Sequence, residues 1–316
     1  MIRAFVFPGQ GSQAVGMGRA LAEAFPVARH VFEEVDEALK QKLSKLMFEG
    51  PEADLTLTEN AQPALMAVSQ AVLKVLETEG KWTLSAKARF VAGHSLGEYS
   101  ALAAAGCLAL PDAARLLKLR GQAMQKAVPV GVGAMAALLG LDLADALPIA
   151  EAAAKETGKV CAAANDNAPG QVVVSGHKEA VERAIALAAE KGAKRSVMLP
   201  VSAPFHCPLM KPAADAMGEA LEKTALNVPV VPVIANVTAA PVSDPATIRR
   251  LLVEQVTATV RWRESIECMK TEGVVRIFEL GAGKVLAGLT KRIAREIEAS
   301  AVGTPEDIEA ALKALS

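Results

Sequence analysis

The chain has 316 residues, 52% hydrophobic and 22% charged, with a net charge of −1. This is an ordered globular protein, long enough for one large domain with an insertion or for two domains. The near-neutral balance leaves no global attraction for nucleic acid or an anionic membrane, and 3% aromatics argue against stacking platforms for bases or sugars. The four cysteines (107, 161, 207, 268) form no C-x-x-C and no disulfide framework. Neither a secretory leader nor an apolar run of about 18 residues is present, so a cytoplasmic protein without a membrane span is expected.

In chain order, Ile2–Phe7 reads as a strand that stops at Pro8-Gly9. A helix-rich stretch follows to Gly80, its clearest helix being Thr58–Thr78 with Leu65, Val68, Val72, Val75 and Leu76 on one face. Ala88–Ala92 is a short strand, and Ser95–Ala105 a helix. Between them lies Gly93-His94-Ser95-Leu96-Gly97, a G-x-S-x-G in the strand–turn–helix setting of a nucleophile elbow. Such a turn exposes the Ser95 hydroxyl and aims backbone N–H groups at a developing oxyanion, with Leu96 N–H as the first donor.

Asp112–Lys126 is the next helix. From there the pattern is strand Val132–Leu139, helix Leu143–Thr157, strand Val160–Ala164, turn Asn165–Gly170, strand Gln171–Ser175, helix Lys178–Lys191 and strand Arg195–Leu199. This β-α-β-β-α-β order is the split βαβ or ferredoxin-like motif. It predicts a small inserted domain at about 128–201, with 1–127 and 202–316 forming a large α/β catalytic domain. Strands near Val230–Ala235 and Val274–Leu280 follow, with helices near Pro208–Thr224, Pro245–Val256, Ser265–Thr271 and Lys284–Glu298.

If Ser95 is an acyl-accepting nucleophile, its base is one of four histidines. His30 sits in a charged helical stretch. His94 adjoins Ser95, and neighbours around a sharp turn point apart. His177 opens a helix of the small domain. His206 lies in PVSAPFHCPLM, a proline-stiffened segment at the junction of the two domains, and is favoured by elimination.

Arg120 occupies the middle of an apolar stripe (Ala113, Leu116, Leu117, 120, Ala123, Met124, Ala127). A buried guanidinium needs a carboxylate or several acceptors. Two readings stand: a structural ion pair with a protein acid, or a bidentate clamp for a substrate carboxylate. The Pro8–Ala14 loop matches G-x-G-x-x-A after a strand, but the acidic strand end expected about 20 residues on is missing, so a dinucleotide site is disfavoured. There, Gln10 offers a donor instead. Gly281–Val285 fails as a phosphate-binding loop. The rivals are a serine hydrolase and a non-catalytic nucleotide-binding module.

Beyond these pieces, the sequence resembles the malonyl-CoA:acyl-carrier-protein transacylases of fatty acid synthesis from end to end. The resemblance rests on FPGQGSQ at 7–13, TENAQPAL at 58–65, GHSLGEYSAL at 93–102, LRGQAMQ at 119–125 and AAANDNAPGQ at 162–171. It continues through SAPFH at 202–206, ANVTA at 235–239, LVEQ at 252–255 and ELGAGKVL at 279–286. It implies an α/β-hydrolase-like large domain with a ferredoxin-like insertion. It also implies ping-pong transfer of malonyl from malonyl-CoA to the phosphopantetheine thiol of acyl carrier protein, without metal or other cofactor, the CoA thioester being a substrate. By resemblance Ser95 is the acylated nucleophile, His206 its base, and Arg120 the clamp on the malonyl carboxylate. Gln10 and Leu96 supply the oxyanion hole, the Gln255 carbonyl orients the histidine, and Asn165 lies near the cleft. Phe205 before the histidine suits an unbranched malonyl group. Lys284, Lys291 and Arg292 are expected to form a basic patch for an acidic carrier protein.

Overall fold

The computed structural model describes residues 1–316. It contains two sheets. Six strands form the larger: β1 (Arg3–Phe7), β2 (Phe90–Gly93), β7 (Val233–Ile234), β8 (Pro241–Val242), β9 (Arg276–Leu280) and β10 (Glu298–Val302). Four form the smaller: β3 (Gly133–Leu139), β4 (Cys161–Ala168), β5 (Gln171–His177) and β6 (Arg195–Met198). The larger runs β10-β9-β1-β2-β7-β8 and is parallel except at β7–β8. The smaller runs β4-β5-β3-β6 and is antiparallel throughout. The chain is thus mixed α/β, and no helix is long and apolar enough to cross a membrane.

β1 and β2 are buried on both faces, which is why they read as unbroken apolar runs rather than alternating ones. Phe5, Phe7 and Val91 face a large core built around helix Thr58–Gly80. Ala4, Val6, Phe90 and Ala92 face a second core with Trp262 and Ile266. Helix Thr58–Gly80 was expected to bury one stripe; it is buried on all sides from Asn60 to Leu73, because helices enclose the side turned away from the sheet. In the smaller sheet, Ala134, Ala136 and Leu138 pack on helices Leu143–Thr157 and Lys178–Glu190. The opposite face contributes Met135, Ala137, Ala164 and Val173 to the main core. One face of each sheet therefore lines the same main core.

Three expected elements differ. The helix expected over Lys284–Glu298 spans Val285–Ile293, and β10 follows. Ala294 and Ile297 continue a helical spacing but are buried beneath the sheet as the chain turns to pair with the open edge of β9. The turn expected at Asn165–Gly170 is shorter, because β4 runs to Ala168 through two register shifts. Those shifts let one strand pair with β5 while Asp166 N–H donates to Val260 O at 2.9 Å. The strand expected at Val230–Ala235 shrinks to Val233–Ile234, since Pro232 interrupts the run and lacks an N–H for the ladder.

Candidate active site

β1, β2 and β9 are parallel neighbours, so the loops after Phe7, Gly93 and Leu280 leave the same edge of the sheet. That edge, at the carboxyl ends of parallel strands, is where α/β proteins bind ligands. Ser95 stands on the turn after β2 with φ 54°, a left-handed conformation that an ordinary residue adopts at a cost of about 1–3 kcal/mol. The flanking glycines make the turn possible. A Cβ on Gly93 would lie 1.8 Å from the Gly97 carbonyl oxygen, and one on Gly97 would lie 2.3 Å from that of Phe7.

Asn236 clamps the turn. Its Oδ1 accepts from Ser95 N–H at 2.8 Å, and its Nδ2 donates to Gly93 O at 2.7 Å. The Ser95 N–H is therefore occupied, whereas the N–H groups of Leu96 and Gln10 donate to no protein acceptor. Leu96 immediately precedes helix Gly97–Ala104, so the positive end of that helix faces the same point. The Gln10 side chain donates to Thr58 Oγ1 at 3.3 Å.

His206 Nε2 lies 2.7 Å from Ser95 Oγ, and its Nδ1 lies 2.9 Å from the Gln255 carbonyl oxygen. A carbonyl only accepts, so Nδ1 carries the proton and Nε2 is free to accept the Ser95 hydroxyl proton. Gln255 ends helix Pro245–Gln255, where carbonyls lack a helical partner. Burial first, then the nearby Arg120 charge, pushes the His206 pKa down to about 3, so the ring is neutral at pH 7. His206 also has φ 54°. The other histidines stand apart. His30 is exposed beside Glu33. His177 Nδ1 accepts from Val160 N–H. His94 is half-buried, with Nε2 2.8 Å from Asn167 Oδ1.

Arg120 is 1% exposed. It donates to Gln62 Oε1 at 2.8 Å, Gln255 Oε1 at 2.9 Å and Ser95 Oγ at 3.1 Å, and its guanidinium stands 5.7 Å over the Tyr99 ring. All three acceptors are neutral, and its Nε has no partner. The ion pair weighed as one reading of Arg120 does not form. What remains is a fixed cation beside the hydroxyl, held by neutral oxygens.

These positions bring Ser95, Leu96, Arg120, His206 and Gln255 together, with Gln10 on the adjoining loop. Asn165 is buried in the bulged part of β4 and makes no side-chain hydrogen bond within the protein; its neighbour Asn167 meets His94 instead. Of the basic residues expected to receive a partner, Lys284 and Lys291 are exposed, but Arg292 is engaged with Gln171 Oε1 and the Pro169 carbonyl.

The site also contains Gln62, Glu98, Asn167 and Asn236, to which sequence reasoning assigned no role. Glu98 carried the same signal as Arg120, a charge in an otherwise apolar helix. Asn236 lies within ANVTA at 235–239, a motif that names no role for it.

The sequence profile of the acyl transferase domain matches residues 4–290. The chain belongs to the acyl transferase family. It is 49% identical over 312 residues to the malonyl CoA-acyl carrier protein transacylase of Bacillus subtilis (strain 168), covering 99% of this chain and 96% of that one. The crystal structure of acyl-carrier-protein-S-malonyltransferase from Bartonella henselae superposes with TM-score 0.96 at 59% identity, over 100% of this chain and 99% of the other. A malonyl-transacylase in complex with a type II polyketide synthase acyl-carrier protein aligns with TM-score 0.95 at 43% identity, over 99% and 100%. As an acyltransferase, the protein has its serine, histidine and arginine within one hydrogen-bonded group.

Proposed function

We propose that the protein transfers malonyl from malonyl-CoA to the phosphopantetheine thiol of acyl carrier protein, through a malonyl ester on Ser95. The observation that carries this reading is the buried Arg120 guanidinium, 3.1 Å from Ser95 Oγ and paired only with neutral oxygens. A dicarboxylic acyl group supplies the missing anion; an acetyl group does not. The names of the similar transacylases support the same substrate pair.

In the first half-reaction, His206 Nε2 takes the Ser95 proton as Oγ attacks the thioester carbonyl. The N–H groups of Leu96 and Gln10 receive the oxyanion, a contribution of about 10²–10³ in rate per donor. The imidazolium, its Nδ1–H held by the Gln255 carbonyl, returns the proton to the departing CoA thiolate. In the second half, the carrier thiol gives its proton to His206 and attacks malonyl-Ser95, and the proton returns to Ser95 Oγ as the ester breaks. The chemistry balances with no metal or redox group, the thioester being both donor and substrate. Phe205, buried and next to the base in the chain, fits an unbranched acyl chain in this reading.

The architectural reading is similar. The larger sheet with its elbow after β2 supports an α/β-hydrolase-like unit formed by 1–127 and 202–316. The strand order β4-β5-β3-β6, with two helices on one face, supports a ferredoxin-like insertion at 128–201. A role in fatty acid synthesis in the cytoplasm follows from the substrates proposed.

Intact-protein mass spectrometry after mixing with malonyl-CoA, with peptide mapping, tests the reading. A durable malonyl adduct on Ser95 that carrier protein discharges is the expected result. Free malonate without transfer would instead make the protein a thioester hydrolase.

A further inference from the structure

Glu98 is 3% exposed, on the first turn of helix Gly97–Ala104, three residues beyond the nucleophile. A buried carboxyl group needs compensation. Here it forms no ion pair. Instead one oxygen, Oε2, accepts from Asn236 N–H at 2.9 Å and from Gln255 Nε2 at 3.0 Å. Both donors belong to residues that build the site. Asn236 clamps the Ser95 turn, and Gln255 holds His206 through its carbonyl and Arg120 through its side chain.

The Gln255 side chain is the informative part. Its Nε2 also donates to Ser95 O at 3.0 Å, while Oε1 accepts from Arg120 Nη2 at 2.9 Å. Turning this amide by half a revolution would set its NH₂ against the guanidinium donors and its oxygen against Ser95 O and Glu98 Oε2. Donor would face donor and acceptor would face acceptor. The more strongly Oε2 accepts, the more firmly the amide keeps the orientation that Arg120 requires.

We infer that Glu98 is a positioning residue for acyl selection: by accepting from Gln255 and Asn236 through one oxygen, it fixes the Gln255 amide so that Oε1 aligns Arg120 beside Ser95. The role needs an acceptor oxygen and not a full charge. Burial, the largest influence, pushes the Glu98 pKa up to about 7, so protonated and ionised forms coexist near neutrality, and a carbonyl oxygen accepts in both. The inference rests on the malonyl-transfer reading, because loss of Arg120 alignment is read as loss of preference for an acidic acyl group.

Two variants separate this from a role in folding alone. Glu98→Gln keeps an acceptor oxygen, and Glu98→Met fills the volume without one. Each is compared with wild type by the ratio of kcat/KM for malonyl-CoA to that for acetyl-CoA, with thermal melting alongside. Glu98→Gln is expected to keep the ratio within about threefold. Glu98→Met is expected to lower it about tenfold or more, with a raised KM for malonyl-CoA. Equal loss on both donors in Glu98→Met, or a ratio that falls as far in Glu98→Gln, overturns the inference. If Glu98→Met does not fold, Glu98→Gln decides: a retained ratio upholds the acceptor role and a collapsed one ends it. A wild-type protein with no malonyl preference overturns the functional reading and the inference together, whereas a wild-type preference that survives Glu98→Met overturns the inference alone.

Discussion

His206 Nδ1 donates to the main-chain carbonyl of Gln255 at 2.9 Å, at the position where a serine enzyme more often places a carboxylate. A carbonyl at a helix end carries only part of a negative charge, so it fixes the tautomer but stabilises an imidazolium weakly. Burial, and then the Arg120 charge, outweigh that bond and leave the ring a poor proton acceptor from water.

The pH dependence follows. With the folded pKa near 3 against an ordinary 6.5, His206 stays neutral as pH falls through 6. kcat/KM for malonyl-CoA is expected to hold its base-competent plateau to about pH 5, and an acid limb centred at 6.5 would contradict the assignment. Stability moves with it. Below 6.5 the unfolded chain binds a proton at this residue that the folded one refuses, so the His206 contribution to stability declines as pH drops from 6.5 toward 3. The His206→Gln variant should lose that part of the slope in melts across the range.

Removing the Arg120 guanidinium should change preference more than power. Arg120→Ala is expected to lower kcat/KM for malonyl-CoA by about 10² or more and to raise relative use of acetyl-CoA, the size of a lost charge-assisted bidentate contact. Parallel rates with the two thioesters would show equal loss if the clamp idea is wrong.

The Asn236 clamp satisfies two backbone groups at once. Asn236→Ala leaves Ser95 N–H and Gly93 O without partners, a destabilisation of about 1–3 kcal/mol for each buried group. Asn236→Asp can still accept from Ser95 but cannot donate to Gly93. Chemical denaturation should rank wild type above Asp and Asp above Ala, with adduct formation on Ser95 slowing in the same order.

Gly97→Ala is a severe change for one added methyl group. The added methyl would meet the Phe7 carbonyl oxygen at 2.3 Å, a backbone atom that cannot swing aside, and either β1 or the elbow must move. A loss of about 3 kcal/mol or more is expected, with no malonyl adduct at temperatures where the variant remains folded. Near-native melting would show that the turn has more room than its geometry implies.

The elbow, the arginine in an apolar stripe and the histidine at the junction were legible because each breaks a local rule in a recognisable way. The smaller sheet was legible because its strands and helices alternate with clean periods. Asn236 and Gln62 were not, since a polar amide in a loop or an apolar helix has many structural explanations and its partners lie 141 and 58 residues away. β10 was hidden for another reason. Ala294 and Ile297 extend a helical spacing, and only the free edge of β9 draws the following residues into a strand.

The cation at Arg120 touches two functions at once. In the proposed reaction it receives the acyl carboxylate, and its field is one reason that His206 resists protonation. In the proposed reaction an arriving carboxylate cancels that field at the moment the base is needed. The substrate would then offset a charge that the polypeptide leaves unpaired. An acetyl group would leave His206 under the uncompensated charge, so discrimination would be felt in the acylation rate as well as in affinity, and the enzyme would be least reactive when no acidic acyl group is present.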